Sequence, residues 1–318
     1  MFQECHNSDE NDFIQIFNPA AAGRALILRS LLRYNDVHFI PRQFAARWLI
    51  NIYLRMEDAD MKVLVEKKDV ICTIIINRPE SRNAVDRETA TQLVEAFEDF
   101  EQDSSLLAAV FYGEGGNFCA GADLKAIFRS DLSAVNSLDF DMSKPGPMGP
   151  SRMKTSKPVI AAVSGYAVAG GLELACWCDL RVVERDAVFG VFCRRYGVPL
   201  IDGGTQRLPR LIGMSRALDM ILTGRPVSGE EAFAMGLANR LVERGKAREE
   251  AEALALQIAA YPQSCMRSDR QSTYRGFDKP MDEAMDLEFR LGMEVIALGE
   301  LQAGVEKFSQ GIGKHGRF

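Results

Sequence analysis

The sequence predicts an α/β fold, and three observations predict it. Apolar runs of strand length alternate with segments of helical period from about residue 61 onward. Two strand patterns precede the first helix, so the order is β-β-α, and a similar order returns later in the chain. Two Gly-rich turns each stand between a buried strand pattern and a helix start, at 113–121 and 164–170.

Residues 63–65 and 70–76 read as strands joined by the polar turn Lys67-Lys68-Asp69. The spacing then predicts a helix over 87–102, with Asp86 as N-cap and Leu93, Val94, Phe97 and Phe100 on one face. Residues 106–112 form a buried strand pattern, and a short helix begins near Asp123. In the second round 158–163 is a strand, 164–170 a turn, 171–178 a helix and 180–184 a strand. Helical patterns fill most of 203–236, followed by a short strand at 237–242 and a helix over 246–260. The remainder, to Phe318, reads as mostly helical. Residues 130–156 are rich in Ser, Pro, Gly and Met without periodicity, which predicts a mobile loop.

Composition narrows the function. The 318 residues are 47% hydrophobic and 26% charged, enough apolar content for a sizeable core. A net charge of −6 gives no reason to expect a nucleic-acid partner. The seven cysteines form no CxxC pair and read as reduced thiols of an intracellular protein, cytoplasmic or mitochondrial. The only histidines, His6, His38 and His315, lie near the termini, which excludes a mid-chain Ser-His-Asp triad or a His-rich metal site. Residues 1–60 differ from the rest: acids at Glu4, Asp9, Glu10 and Asp12 precede a basic stretch carrying Arg24, Arg29, Arg33, Arg42, Arg47 and Arg55. That stretch is either an organelle-targeting segment, against which the acidic start argues, or an extension of uncertain order. Arg47 interrupts its best apolar run, so no membrane span is expected.

The chemistry concentrates in the two Gly-rich turns, Asn117-Phe118-Cys119-Ala120-Gly121-Ala122-Asp123 and Gly165-Tyr166-Ala167-Val168-Ala169-Gly170-Gly171. A turn that opens a helix exposes backbone N–H groups and adds the positive end of the helix dipole. Two such turns that converge can hold an oxyanion; taken singly, each is a tight turn and no more. Neither fits GxGxxG or a phosphate-loop lysine motif.

From about Met61 to the end, the chain resembles the enoyl-CoA hydratase/isomerase (crotonase) superfamily. The resemblance is carried in order by INRPESRNAV at 76–85, FCAGADLK at 118–125 and KPVIAAVSGYAVAGGLELACWCDLRV at 157–182. It continues with FG at 189–190, GGTQRLPRLIG at 203–213 and LTGRPVSGEEAFAMGLANRLV at 222–242. It implies a crotonase-like spiral of ββα units over 61–262 and a helical trimerisation region over 263–318, with residues 1–60 outside it. It also implies an acyl-CoA thioester substrate, no cofactor beyond the coenzyme A of the substrate, and a homotrimer or homohexamer. The oxyanion donors map to the N–H groups of Ala122 and Gly170. Asp123, Leu124 and Lys125 map to the coenzyme A contact, and Ser81 and Arg82 to the nucleotide end.

Hydratases of the family use two glutamates. The first maps to Glu173, whose other reading is a helix-dipole partner. The second position holds Cys193, either a buried structural thiol or one whose pKa Arg194 and Arg195 lower. Asp202 is the one nearby acid, either a proton-transfer group, as in dienoyl-CoA isomerases, or the cap of the helix starting near Gly203. The expected function is enoyl-CoA hydration or dehydration. Double-bond isomerisation is the first alternative, and a catalytically weak acyl-CoA- or RNA-binding member the second.

Overall fold

The computed structural model describes residues 61–128 and 133–311. The readings made for residues 1–60 and for the last seven residues lie outside the described residues. Two sheets organise the core. The first has six strands in the order β1-β2-β3-β4-β6-β9: Val63–Lys68, Ile71–Ile76, Ala108–Gly113, Val159–Val163, Leu180–Glu184 and Arg240–Val242. All neighbours are parallel except the β1–β2 hairpin. The second sheet has three short strands, β5 (Tyr166–Val168), β7 (Val188–Gly190) and β8 (Val227–Ser228), in the order β5-β7-β8.

These short strands correct the sequence reading, which took 164–170 as a turn and gave no strand at 188–190 or 227–228. At two or three residues they carry no alternation to detect. They also explain the repeat. Two successive units place one strand in the large sheet and the next in the small one: β4 then β5, β6 then β7.

The parallel strands are apolar without alternation because both their faces are covered. Every residue of β2, ICTIII, is buried. On one face lies α1 (Arg87–Gln102), with Leu93, Phe97 and Phe100 buried in the main core cluster; the Phe97 ring meets those of Phe111 and Trp177 edge-on at 5.3 and 4.8 Å. On the other face lies α7 (Ala247–Ala259), whose Ala247, Ala251 and Ala255 share a cluster with Ile71, Val110 and Ile160. Alanines four apart form one stripe that lets the helix approach the sheet closely.

Helix α1 begins as the sequence predicts. The Asp86 carboxylate accepts from Thr89 N–H at 2.9 Å and also pairs with Lys62 at 2.8 Å. Asp86→Ala therefore removes an N-cap and an ion pair together. The expected loss is about 1–2 kcal/mol, read as a lower melting temperature.

The other helices are α2 (Leu124–Phe128), α3 (Gly170–Trp177), α4 (Gly204–Ile212), α5 (Met214–Thr223), α6 (Gly229–Ala234), α8 (Gln263–Gly276), α9 (Met281–Ala297) and α10 (Glu300–Ser309). No helix among the described residues is long and apolar enough to cross a membrane.

The expected mobile loop needs a second correction. Residues 146–151 are all buried. Gly146 and Gly149 exchange backbone bonds at 3.0 and 2.9 Å, and Pro150–Arg152 form a short 3-10 helix. What fixes this segment is a tertiary partner, the carboxylate of Asp202.

Candidate active site

The first Gly-rich turn is a strand-like segment with nearly all its N–H groups committed. Phe118 N–H donates to Ser164 O, Cys119 N–H to Tyr166 O and Ala120 N–H to Arg82 O. Val85 N–H donates to Gly121 O at 2.8 Å, and Asp123 N–H to Val85 O at 2.9 Å. These last two bonds define a parallel bridge between Val85 and Ala122. Alternation along an extended chain then directs the Ala122 N–H to the side opposite Val85, where it has no protein acceptor among the described residues.

The second turn passes through Ala169, whose φ of 53° and ψ of −124° are unusual for a residue with a side chain. Such a conformation costs of order 1–3 kcal/mol and persists only when its surroundings hold it. Here Ala169 N–H is bonded to Gly190 O, and Ala169 O accepts from the N–H groups of Leu172 and Glu173. Gly170, the first residue of α3, has no acceptor for its own N–H among the described residues.

The two turns touch. A Cβ on Gly121, which has φ +98°, would lie 3.0 Å from Gly170 N, and one on Gly171 would lie 2.1 Å from Cys119 O. Glycine at 121 and 171 is what lets α3 start against the first turn.

Glu173 follows one helical turn on, 2% exposed. Its Oε1 accepts from Asp202 N–H at 2.9 Å and from Gly204 N–H at 2.8 Å. Glu173 thus binds the start of α4 from another helix. Its Oε2 makes no hydrogen bond among the described residues. Burial drives the Glu173 pKa up to about 7, Gly204 N–H pulls it back, and the negative Asp202 adds to the rise.

Asp202 is built in the same way. Its Oδ1 accepts from Met148 N–H at 2.9 Å and from the Ser151 hydroxyl. Its Oδ2 makes no hydrogen bond among the described residues. Burial raises the Asp202 pKa against the Ser151 and Met148 bonds. The reading of Asp202 as a helix cap is overturned: Gly203 is the N-cap of α4 and receives no side-chain bond. Two buried carboxylates, each anchored through one oxygen while the other makes no hydrogen bond among the described residues, are suited to proton transfer.

Cys193 is buried, and burial raises its thiol pKa, with the charge of Glu173 adding to the rise. Arg194 does lower it, as expected, but burial and Glu173 outweigh that pull, and Arg195 is not among the groups that act on the thiol. Arg194 donates to Ile221 O, and Arg195 donates to Gly224 O and stacks 4.2 Å over the Phe192 ring. Cys193 lies within electrostatic range of Glu173 as a protonated thiol.

The remaining residues divide by contact. Both Asp123 oxygens are engaged, Oδ2 by Arg78 at 2.9 Å and Oδ1 by Lys125 N–H at 3.1 Å. Asp123 therefore shapes the turn. Leu124, Lys125 and Arg82 are exposed beside it, with Arg82 lying 5.5 Å over the Tyr166 ring. Ser81 is half-buried, and its hydroxyl donates to Arg78 O.

The sequence reading missed Asn83, fully buried, whose amide bonds Glu114 O and Asn117 O while its carbonyl accepts from Arg78 N–H. It missed Ser151 and Met148 as well. A Cβ on Gly170 would come 2.7 Å from the Met148 sulfur, so this side chain lies against the Gly170 end of α3. A buried Asn inside a quoted motif was a usable signal. Nothing local marks Met148 or Ser151.

A spiral of strand pairs, two unpaired turn N–H groups and a buried carboxylate one helical turn past the second define a class. The chain belongs to the enoyl-CoA hydratase/isomerase family, whose model matches residues 66–311. It is 32% identical over 231 residues to the crotonyl-CoA hydratase of Syntrophomonas wolfei, covering 71% of this chain and 86% of that one. It is 38% identical over 223 residues to the mitochondrial enoyl-CoA hydratase domain-containing protein 2 of Bos taurus, covering 69% and 74%. The crystal structure of an enoyl-CoA hydratase from Mycobacterium tuberculosis H37Rv superposes with a TM-score of 0.73 at 34% identity, over 78% of this chain and 96% of that one.

Proposed function

We propose that the protein is an enoyl-CoA hydratase, a lyase that adds water reversibly across the double bond of a 2-enoyl-CoA thioester. One observation carries this reading: Glu173, buried with its pKa raised to about 7, has one carboxylate oxygen without a hydrogen bond among the described residues, at the helix start where Gly170 N–H likewise has no acceptor among them. In the proposed reaction the Glu173 carboxylate takes a proton from water as the hydroxyl adds to the β carbon. Electrons shift onto the thioester oxygen, and the N–H groups of Ala122 and Gly170 hold the enolate. Fixed donors in a dry site are worth about 3 kcal/mol each to such charge. A proton delivered to the α carbon completes the addition. Lys125, exposed at the first turn, meets the coenzyme A phosphates as a point charge.

The second reading is double-bond isomerisation. It is favoured by Asp202, which stands with Glu173 as a second carboxylate while position 193 holds a neutral thiol. Incubation with crotonyl-CoA and a panel of longer enoyl-CoAs in deuterated water separates the two by mass spectrometry. Hydration adds the elements of water. Isomerisation leaves composition unchanged apart from deuterium. A protein that binds the panel but changes none of it contradicts both.

Assembly as a trimer or hexamer completes the proposal. Met285, Phe289, Met293 and Ile296 recur along one side of α9, and Leu301, Val305 and Phe308 along α10; all are exposed. That is more apolar surface than a solvated tail needs. Light scattering at micromolar concentration is expected to give three or six copies, and Phe289→Glu to give smaller species. A monomeric wild-type protein contradicts it.

A further inference from the structure

One guanidinium next to the carboxylate pair has no part in the reading above. Arg207 sits on α4, partly buried. Its Nη1 donates to the backbone carbonyl of Asp202 at 2.9 Å, and its Nη2 to that of Ser151 at 2.7 Å. Ser151 is also the residue whose hydroxyl bonds the Asp202 carboxylate. The two residues are therefore joined twice, side chain to side chain and carbonyl to carbonyl through one planar fork. Gly203 makes room: it has φ +99°, and a Cβ there would lie 2.3 Å from Nη1.

The consequence reaches Glu173. The peptide entering Asp202 carries the N–H that donates to Glu173 Oε1, and the peptide leaving it carries the carbonyl held by Arg207. With both peptides and the carboxylate fixed, Asp202 has no freedom to turn. We infer that Arg207 is a positioning residue for the acid–base pair, spanning Asp202 and Ser151 so that Asp202 faces the reaction space while its N–H orients Glu173. This rests on the reading that Glu173 and Asp202 move protons.

Arg207 also supplies charge. Glu173 faces Asp202, Arg207 and the thiols of Cys176 and Cys193. Asp202 faces Ser151, Arg152 and Arg207. Arg207 is a cation that acts on both carboxylates. A lysine at 207 keeps the charge, but an ammonium lacks the rigid fork that reaches two carbonyls in fixed directions.

The test measures kcat, KM and the pH profile of kcat with crotonyl-CoA for Arg207→Lys, Arg207→Gln and, alongside them, Glu173→Gln. Both Arg207 variants should lose roughly 10-fold or more in kcat, the scale of a sub-ångström misplacement, with KM nearly unchanged. Arg207→Gln should also move the acid limb of the profile to higher pH, because both carboxylates lose a cation. Arg207→Lys should leave that limb in place. Should Arg207→Gln fail to fold, Ser151→Ala replaces it, loosening the same carboxylate and removing a bond that favours its charged form. Wild-type kcat in the Arg207 variants, or a lower melting temperature with an unmoved profile in Arg207→Gln, overturns the inference while an inactive Glu173→Gln leaves the acid–base reading intact. A fully active Glu173→Gln overturns both.

Discussion

Glu173→Gln is expected to lower turnover of crotonyl-CoA by roughly 10²–10⁴-fold, the usual contribution of a general acid–base group. The variant is informative because the amide oxygen can still accept from the N–H groups of Asp202 and Gly204, which now meet Oε1 at 2.9 and 2.8 Å. Thioester binding, measured by calorimetry with an unreactive acyl-CoA, should change little. Stability should change in the opposite sense to activity. The folded Glu173 pKa lies above its ordinary value, at about 7, so the native state binds the proton more tightly than the unfolded chain. The wild type therefore loses stability as pH rises from about 4.5 through 7, and the full penalty remains above that range. At pH 8 Glu173→Gln should melt higher than the wild type, and this advantage should shrink as pH falls toward 5. A variant with full turnover would place the base elsewhere. Glu173→Ala is the poorer probe, because it strands two buried N–H groups at about 1–3 kcal/mol each.

Asp202→Asn is the second large effect. Its carbonyl oxygen can keep the bonds to Met148 N–H and the Ser151 hydroxyl, so the 146–151 turn should stay in place and melting should shift little. The group that faces the open side becomes an amide without a transferable proton. The expected result is a further loss of roughly 10²–10⁴-fold in water addition and in α-proton exchange. Cys193→Ser, by contrast, replaces one neutral hydrogen-bonding group by another and should be nearly silent. Cys193→Glu puts a carboxylate at the position where family hydratases carry their second acid. A rise in hydration of straight-chain enoyl-CoA supports hydratase chemistry in an otherwise ordinary site. An intact fold without that rise favours isomerisation, with Glu173 and Asp202 as the shuttling pair. Asp202→Asn with unchanged turnover would leave its carboxylate a purely structural tie between the 146–151 turn and α4.

Much of this was legible in the sequence where the signal is local. The helical period over the 16 residues of α1 and its Asp86 cap, the apolar run of β2 and the helix near 246–260 follow from side-chain chemistry at fixed spacing. So do the two Gly-rich turns, because only glycine admits the contacts at 121 and 171. Glu173 was legible too, since an acid between Leu172 and Leu174 on an apolar helix start is out of place unless it is used.

What the tertiary structure decided involves partners far apart in the chain. The Met148 N–H and the Ser151 hydroxyl meet Asp202 across more than fifty residues, and this turned an expected loop into a buried turn. The strands β5, β7 and β8 exist because the spiral brings three short segments side by side, which no period within them announces. The protonation of Cys193 was settled in the same way. Arg194, adjacent in sequence, pulls its pKa down, but burial and the spatially near Glu173 carboxylate outweigh that pull and raise it. Sequence adjacency brings charges near along the chain, but burial and spatial neighbours in the folded protein decide which effect on a titrating group wins.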